Sequence, residues 1–210
     1  MSVTTVVRRH FLCALPLLLS LFAFQALPAW GTIAIQTDLR SMVRKADLVF
    51  TGKVTGQRAE WANLNGRKSI VTVVTLEVLD THKGTASQKL DLRCPGGTIG
   101  DTTLELVGMP AFTEGEKCVL FVRTNANAVC PIVGIYHGKL VLGAEETVSR
   151  HNGRPLSNIS EIGKDDDGPR AASVVAKDTA NKTSGRVTLS ELKARIAEEV
   201  AAGISAPEGK

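Results

Sequence analysis

Apolar residues recur along the chain with two periods, and a period of two dominates. From Leu48 to Gly56, Leu48, Phe50 and Val54 share one side while Thr51, Lys53 and Thr55 share the other, as in a half-buried strand. Gly52 interrupts the row and predicts a bulge or sharp bend. Residues 57–68 are polar and include Asn63, Asn65 and Gly66, which predicts a loop. Ser69–Leu79 carries the strongest strand signal. It is rich in β-branched residues, with Ile70, Val74, Leu76 and Val78 on one face and Val71 and Val73 on the other, so part of it is expected to be covered on both sides. His82-Lys83-Gly84 predicts a turn. Lys89–Cys94 sets Leu90, Leu92 and Cys94 against Lys89, Asp91 and Arg93, and Pro95-Gly96-Gly97 ends it. Thr103–Val107 predicts a short strand, Met109–Phe112 an irregular stretch, and Thr113–Glu116 a turn. Cys118–Val122 reads as a central strand. Val129–Tyr136 reads as a further strand, with Pro131 at an edge or bulge, and Gly138–Leu142 is the last apolar run.

Two segments carry the helical period. Leu39, Met42, Val43 and Ala46 form one face of a short helix, with Thr37 as its expected N-cap. Thr188 and Glu191 form a capping-box signature. Leu189, Leu192, Ile196 and Val200 then define an amphipathic helix from about Leu189 to Ala202, ending near Gly203. Between the apolar runs and this helix, residues 144–187 are polar and contain Asp165-Asp166-Asp167-Gly168, which predicts a polar linker or loosely ordered extension. The expected organisation is therefore mainly β. A small, partly closed barrel of five or six strands occupies 32–143 with its leading helix, followed by the extension, a C-terminal helix over 188–203 and a tail over 204–210.

Residues 1–31 stand apart and read as a signal peptide. Arg8, Arg9 and His10 precede the uncharged apolar run Phe11–Leu27. Ala29-Trp30-Gly31 suits cleavage after Gly31, with Ala29 as the second choice. The run falls short of the ~20 residues that favour a retained anchor. Arg8-Arg9-His10-Phe11-Leu12 is similar to a twin-arginine export signal, but Val7 and Cys13 depart from it and the strongly apolar run favours the general secretory route. The mature chain is thus expected to be periplasmic or secreted, with no membrane span. Loss of the leader lowers Lys+Arg from 25 to 23 against 21 acids, so the net charge falls from +4 to +2. The remaining basic residues alternate with acids, which argues against a nucleic-acid footprint.

Export bears on the cysteines, because oxidising compartments permit disulfides. Cys118 and Cys130 flank Thr124–Asn127, which reads as a hairpin turn, and a Cys118–Cys130 disulfide is expected with Cys94 left as a buried thiol. The odd count of three leaves other pairings open. No His-Glu-x-x-His, Cys-x-x-Cys or Gly-x-Ser-x-Gly motif occurs. Gly134–Leu140 fails the spacing of a phosphate loop, and the triple aspartate lacks the alternation of a calcium loop. A dispersed zinc set of Cys94, Cys130 and His137, or a Cys94–His137 nucleophile pair, is conceivable, yet Cys94 lies on an apolar strand face that favours inertness. No cofactor or metal is assigned. Trp61, an aromatic in a polar loop, is a candidate partner anchor. The candidate surface joins the Arg58–Arg67 loop to the Gly96–Thr102 and Tyr136–Lys139 turns, with Arg58, Trp61, Arg67, Tyr136, His137 and Lys139 as its binding residues.

Several short stretches carry a resemblance: Ala46–Val54, Thr75–Gly84, Cys94-Pro95-Gly96-Gly97, Met109–Glu116 and Gly134–Lys139. Together they resemble a group of secreted bacterial proteins of unknown function, whose β core is similar to the OB-like barrel of netrin and tissue metalloprotease-inhibitor domains. The likeness spans residues 38–142 and the C-terminal helix, and implies that the expected barrel is OB-like. Those inhibitors chelate their target's zinc through an N-terminal cysteine. Here the predicted mature start is Thr32, and its first cysteine is Cys94, so no inhibitory residue carries over. The expected function is a non-enzymatic binding module for an extracytoplasmic protein or envelope component. The competing readings are a protease inhibitor acting through a loop and a hydrolase with a dispersed site.

Overall fold

The structure is a computed structural model that describes residues 37–64, 66–123, 130–164 and 185–205. The predicted signal peptide and the triple aspartate lie outside the described residues.

The first element is helix α1, Leu39–Lys45, which buries Leu39, Met42 and Val43. Its N-cap is Asp38 rather than the expected Thr37: the Asp38 carboxylate accepts from the Ser41 N–H at 2.7 Å. Thr37 is engaged elsewhere, its N–H donating to the Gly163 carbonyl. At the other end, Lys83 Nζ donates to the carbonyls of Val43 and Ala46 at 2.7 and 2.6 Å. A cation placed there satisfies helix-end carbonyls and complements the helix dipole.

Strands β1 (Leu48–Leu64) and β2 (Arg67–Lys83) are 17 residues each and form one long antiparallel hairpin. The loop expected over 57–68 is therefore strand almost throughout, with Trp61 opposite Ile70 and Leu64 opposite Arg67. On β1 the residues from 56 to 64 are exposed or half-buried, so they need not alternate in polarity, and the backbone ladder to β2, where Ile70, Val71, Val73 and Val74 are buried, holds them extended. The bulge expected at Gly52 is present as a register shift between Thr51 and Gly52. A Cβ at Gly52 would lie 2.8 Å from the Phe50 ring.

The remaining strands are β3 (Lys89–Pro95), β4 (Gly97–Ile99), β5 (Thr102–Leu104), β6 (Lys117–Val122), β7 (Lys139–Leu142) and β8 (Val148–Arg150). β4 and β5 form a separate hairpin, and the other six make one antiparallel sheet in the order β3-β2-β1-β6-β7-β8. This mainly β sheet is open, which corrects the expected barrel: β3 and β8 are its opposite edges and do not pair. Each edge is protected locally instead. On β3, Lys89, Asp91 and Arg93 are exposed charges, a common guard against edge pairing. On β8, Val148 donates to the Val187 carbonyl and accepts from Leu156, at 2.8 and 3.0 Å.

The strand expected over Val129–Tyr136 is absent from the described part of that segment. Only an isolated bridge, Val122↔Ile132, forms, and a 3-10 turn follows over Ile135–Gly138. Pro131 has no N–H to offer a ladder, and positive φ at Gly134 (67°) and Ile135 (59°) turns the chain away. Residues 144–164 are likewise not a loose linker. They supply β8 and bury Val148, Leu156 and Ile162, apolar side chains spaced along a mostly polar stretch.

Two cores result. One face of the sheet contributes Leu48, Phe50, Val54, Val74, Leu76, Leu92 and Leu120 to a single cluster. The other contributes Val49, Phe121, Leu140 and Val148, which pack with α1, Leu156, Ile162 and the second helix. That helix, α2, spans Leu189–Ser205, and the Glu191 N–H donates to Thr188 Oγ1 at its start, as the capping signature predicts. It continues past the expected stop near Gly203. Leu189, Leu192 and Ile196 are buried. No helix among the described residues is long and apolar enough to cross a membrane.

α2 is also fixed by charge, with ion pairs Arg40–Glu199 at 3.6 Å and Lys193–Asp80 at 2.7 Å. Beside the second pair, His82 Nε2 hydrogen-bonds Thr51 Oγ1 at 2.8 Å. Burial pushes the His82 imidazole below its usual value of 6.5, reinforced by the Lys193 charge and opposed by Asp80.

Leu192→Ala, which empties a fully buried site between α2 and the sheet, should lower the unfolding free energy by about 2–5 kcal/mol in urea titration. A histidine whose charged form is disfavoured in the fold is protonated first in the unfolded chain. Its contribution is therefore complete above the unfolded value of 6.5 and is lost as the pH falls from there through the lower native value. Urea midpoints should drop across that window, and His82→Gln should reduce the slope.

Candidate binding groove

A groove with a volume of about 480 Å³ opens beside the β4–β5 hairpin. Val74, Cys94 and Phe112 supply apolar floor, the chain from Leu104 to Met109 makes one wall, and Tyr136 and His151 belong to its lining.

The hairpin is held on β2 by the Cys94-Pro95-Gly96-Gly97 sequence. Gly96 donates to the Ile70 carbonyl at 2.9 Å, and the Thr72 hydroxyl donates to the Gly96 carbonyl at 2.8 Å. At Gly97 φ is +137°, and a Cβ would stand 2.6 Å from Thr72 Oγ1, so only glycine allows this approach.

Ala111 and Phe112 are clamped from two sides. Gln57 Nε2 donates to the Phe112 carbonyl at 2.9 Å. From below, Lys139 Nζ donates to the Ala111 carbonyl, ion-pairs with Glu116 and lies 4.5 Å from the centre of the Phe112 ring. Lys139 is only 1% exposed, so its charge is held by these three partners. Tyr136 makes tilted ring contacts with two imidazoles, its ring centroid 4.2 Å from that of His137 and 4.6 Å from that of His151. In contrast, the rim at Leu106 and Val107 stands open, Val107 being 80% exposed.

The residues singled out from sequence fall into three places. Tyr136 lines the groove, together with Gly96 and Gly97. His137 and Lys139 are buried, which corrects their expected role on a partner-facing surface; Lys139 supports the groove from within. Arg58, Trp61 and Arg67 sit on the hairpin away from the groove lining. Arg58 pairs with Asp91 at 3.2 Å and Glu60 at 3.7 Å, and Trp61, half exposed, carries the Lys68 ammonium 4.5 Å from its ring centre. Sequence reasoning passed over Leu106, Val107, Met109 and Phe112. The available signal was an apolar run around Gly108 and Pro110 with no strand or helix period to bury it.

The cysteines also differ from expectation. Cys94, Cys118 and Cys130 are all free thiols. The predicted Cys118–Cys130 bridge is not formed, because β6 is followed in the sheet by β7 rather than by a strand through Cys130. Cys118 consequently faces Gly52 and Val141 across its two neighbours. Burial pushes its thiol up to about 12. Cys130 instead shares a side-chain hydrogen bond with Cys94, which pulls the Cys130 thiol down and, with burial, pushes Cys94 far up. Among the described residues no group of three His, Cys, Asp or Glu side chains is placed to hold a metal ion.

Comparison with known proteins finds no matching family model, no matching curated protein and no matching solved structure.

Lys139→Ala should strand Glu116 and release Ala111, lowering the unfolding free energy by about 3–5 kcal/mol in urea titration. Replacing both charges, as Lys139→Met with Glu116→Gln, should recover much of that loss.

Proposed function

We propose that the chain is an exported, non-enzymatic binding module that takes an apolar segment of an extracytoplasmic partner protein into the groove beside β4–β5. The observation that carries this reading is the pairing of an apolar floor with a rim on which Leu106 and Val107 are left uncovered. Exposed apolar groups beside a concave site are the usual anchor points of a partner. A partner segment would place an apolar side chain against Val74 and Phe112, while the backbone of the irregular wall offers hydrogen bonds, the combination used in peptide recognition. The neighbouring hairpin face is already committed to ion pairs between Arg58, Glu60, Asp91 and Arg93, which favours the groove over that face.

Export rests on the leader residues Arg8, Arg9 and Phe11–Leu27. The OB-like likeness belongs to the same proposal. Its support is one cluster that gathers side chains from β3, β2, β1 and β6 of the open sheet.

The test is capture of partners by the tagged chain from its own extracytoplasmic fraction, with a photo-crosslinking residue at position 106 in every version compared. A crosslinked protein recovered by wild type and Trp61→Ala, but reduced at least about tenfold in Val107→Glu with folding unchanged, is the expected result; such a loss corresponds to about 1.4 kcal/mol of binding. Loss in Trp61→Ala with retention in Val107→Glu would move the site to the hairpin and overturn the groove assignment.

A further inference from the structure

We propose that Cys94 and Cys130 form a reversible dithiol/disulfide pair, closed by exchange with a disulfide-bearing molecule, that staples the connection between β6 and β7 to edge strand β3 at the floor of the groove.

The strand order alone would keep these residues apart, because β2 and β1 lie between β3 and β6. Cys94 sits next to the end of β3, opposite Thr72. Cys130 belongs to the chain that leaves β6, after which Arg123 donates to the Pro131 carbonyl and Ile132 bridges Val122. That chain lies over the cluster lined by β3, β2, β1 and β6. Both cysteines pack in this cluster, where each side chain shifts the other's ionisation. Cys118 belongs to the same cluster but is fully buried, between Gly52 and Val141.

The two thiols are unequal in a way that fits exchange chemistry. Cys130 is partly exposed, and its interaction with Cys94 lowers its thiol. Cys94 is 5% exposed and holds its proton, while the nearby Lys139 ammonium favours its thiolate. Cys130 thiolate would attack the disulfide of the oxidant, forming a mixed disulfide and expelling one thiolate. Cys94 would then lose its proton and attack the Cys130 sulfur, expelling the second. Two protein thiols and one small disulfide become one protein disulfide and two small thiols, so electrons and protons balance. The bond would tie the open sheet across the face that carries this cluster, where strand pairing does not reach. By restricting the unfolded chain it would also stabilise the fold.

The experiment treats the reduced full chain with oxidised glutathione, blocks remaining thiols with an alkylating agent, and maps linkages by proteolysis and mass spectrometry. A dominant Cys94–Cys130 peptide is expected, with Cys118 alkylated only after unfolding and the urea midpoint raised until reductant is added. Cys94→Ser should trap the glutathione adduct at Cys130, and Cys118→Ser should leave the link intact. A dominant link through Cys13 or Cys118 would overturn the proposal, and so would a wild-type chain in which Cys94 and Cys130 both remain alkylatable after oxidation. Wild-type mapping needs no variant to fold, and none of these readouts depends on whether the groove takes a partner.

Discussion

The segment Leu48–Val54 is bonded along both edges and buried on both faces, and the rest of the structure is arranged around it. β2 pairs on one side and β6 on the other. Val49 joins the helical core, whereas Leu48, Phe50 and Val54 join the opposite one. Such a strand has no solvent face, so even Thr51 is only 4% exposed and turns its hydroxyl to His82. Through β2 this strand positions β3 and the glycine-bearing entry to β4. Through β6 it positions β7 and hence Lys139.

Elements with a clean period were legible from sequence. The faces of α1 and α2, the alternation of β3 and the apolar run of β6 all follow from which residues had to leave water. The 57–64 half of β1 was not legible, since most of its residues are polar and its order comes from backbone pairing with β2. Nor was β8, where Val148-Ser149-Arg150 is too short to show a period and is defined by what Leu156 and Val187 bond to. Whether a sheet closes depends on its edges, and edge protection by later segments is a long-range property.

The same division applies to the groove. Gly96 and Gly97 announced a tight turn, and Tyr136, named from sequence as a candidate binding residue, lies in the groove lining. Lys139 misled, because a lysine is ordinarily solvated; its burial requires Glu116, Ala111 and Phe112, none of which is adjacent in sequence. The cysteines misled for a related reason. Proximity along the chain suggested Cys118 with Cys130, but the crossing of the cluster brings Cys130 to Cys94. The groove thus combines a wall anchored at Ala111 and Phe112 with a rim at Leu106 and Val107 that is exposed among the described residues.

The contact between α1 and α2 has a consequence in time. Leu39, Met42 and Val43 share a core with Leu192 and Ile196, so the first described element packs on the last. Loop closure over that separation comes late and contributes little until both ends are present. A nascent chain shorter than α2 leaves α1 and the Val49–Phe121 face without their cover. The helical core therefore cannot lock until α2 has been made, and throughout that interval the polypeptide remains available to whatever binds or threads unfolded chains.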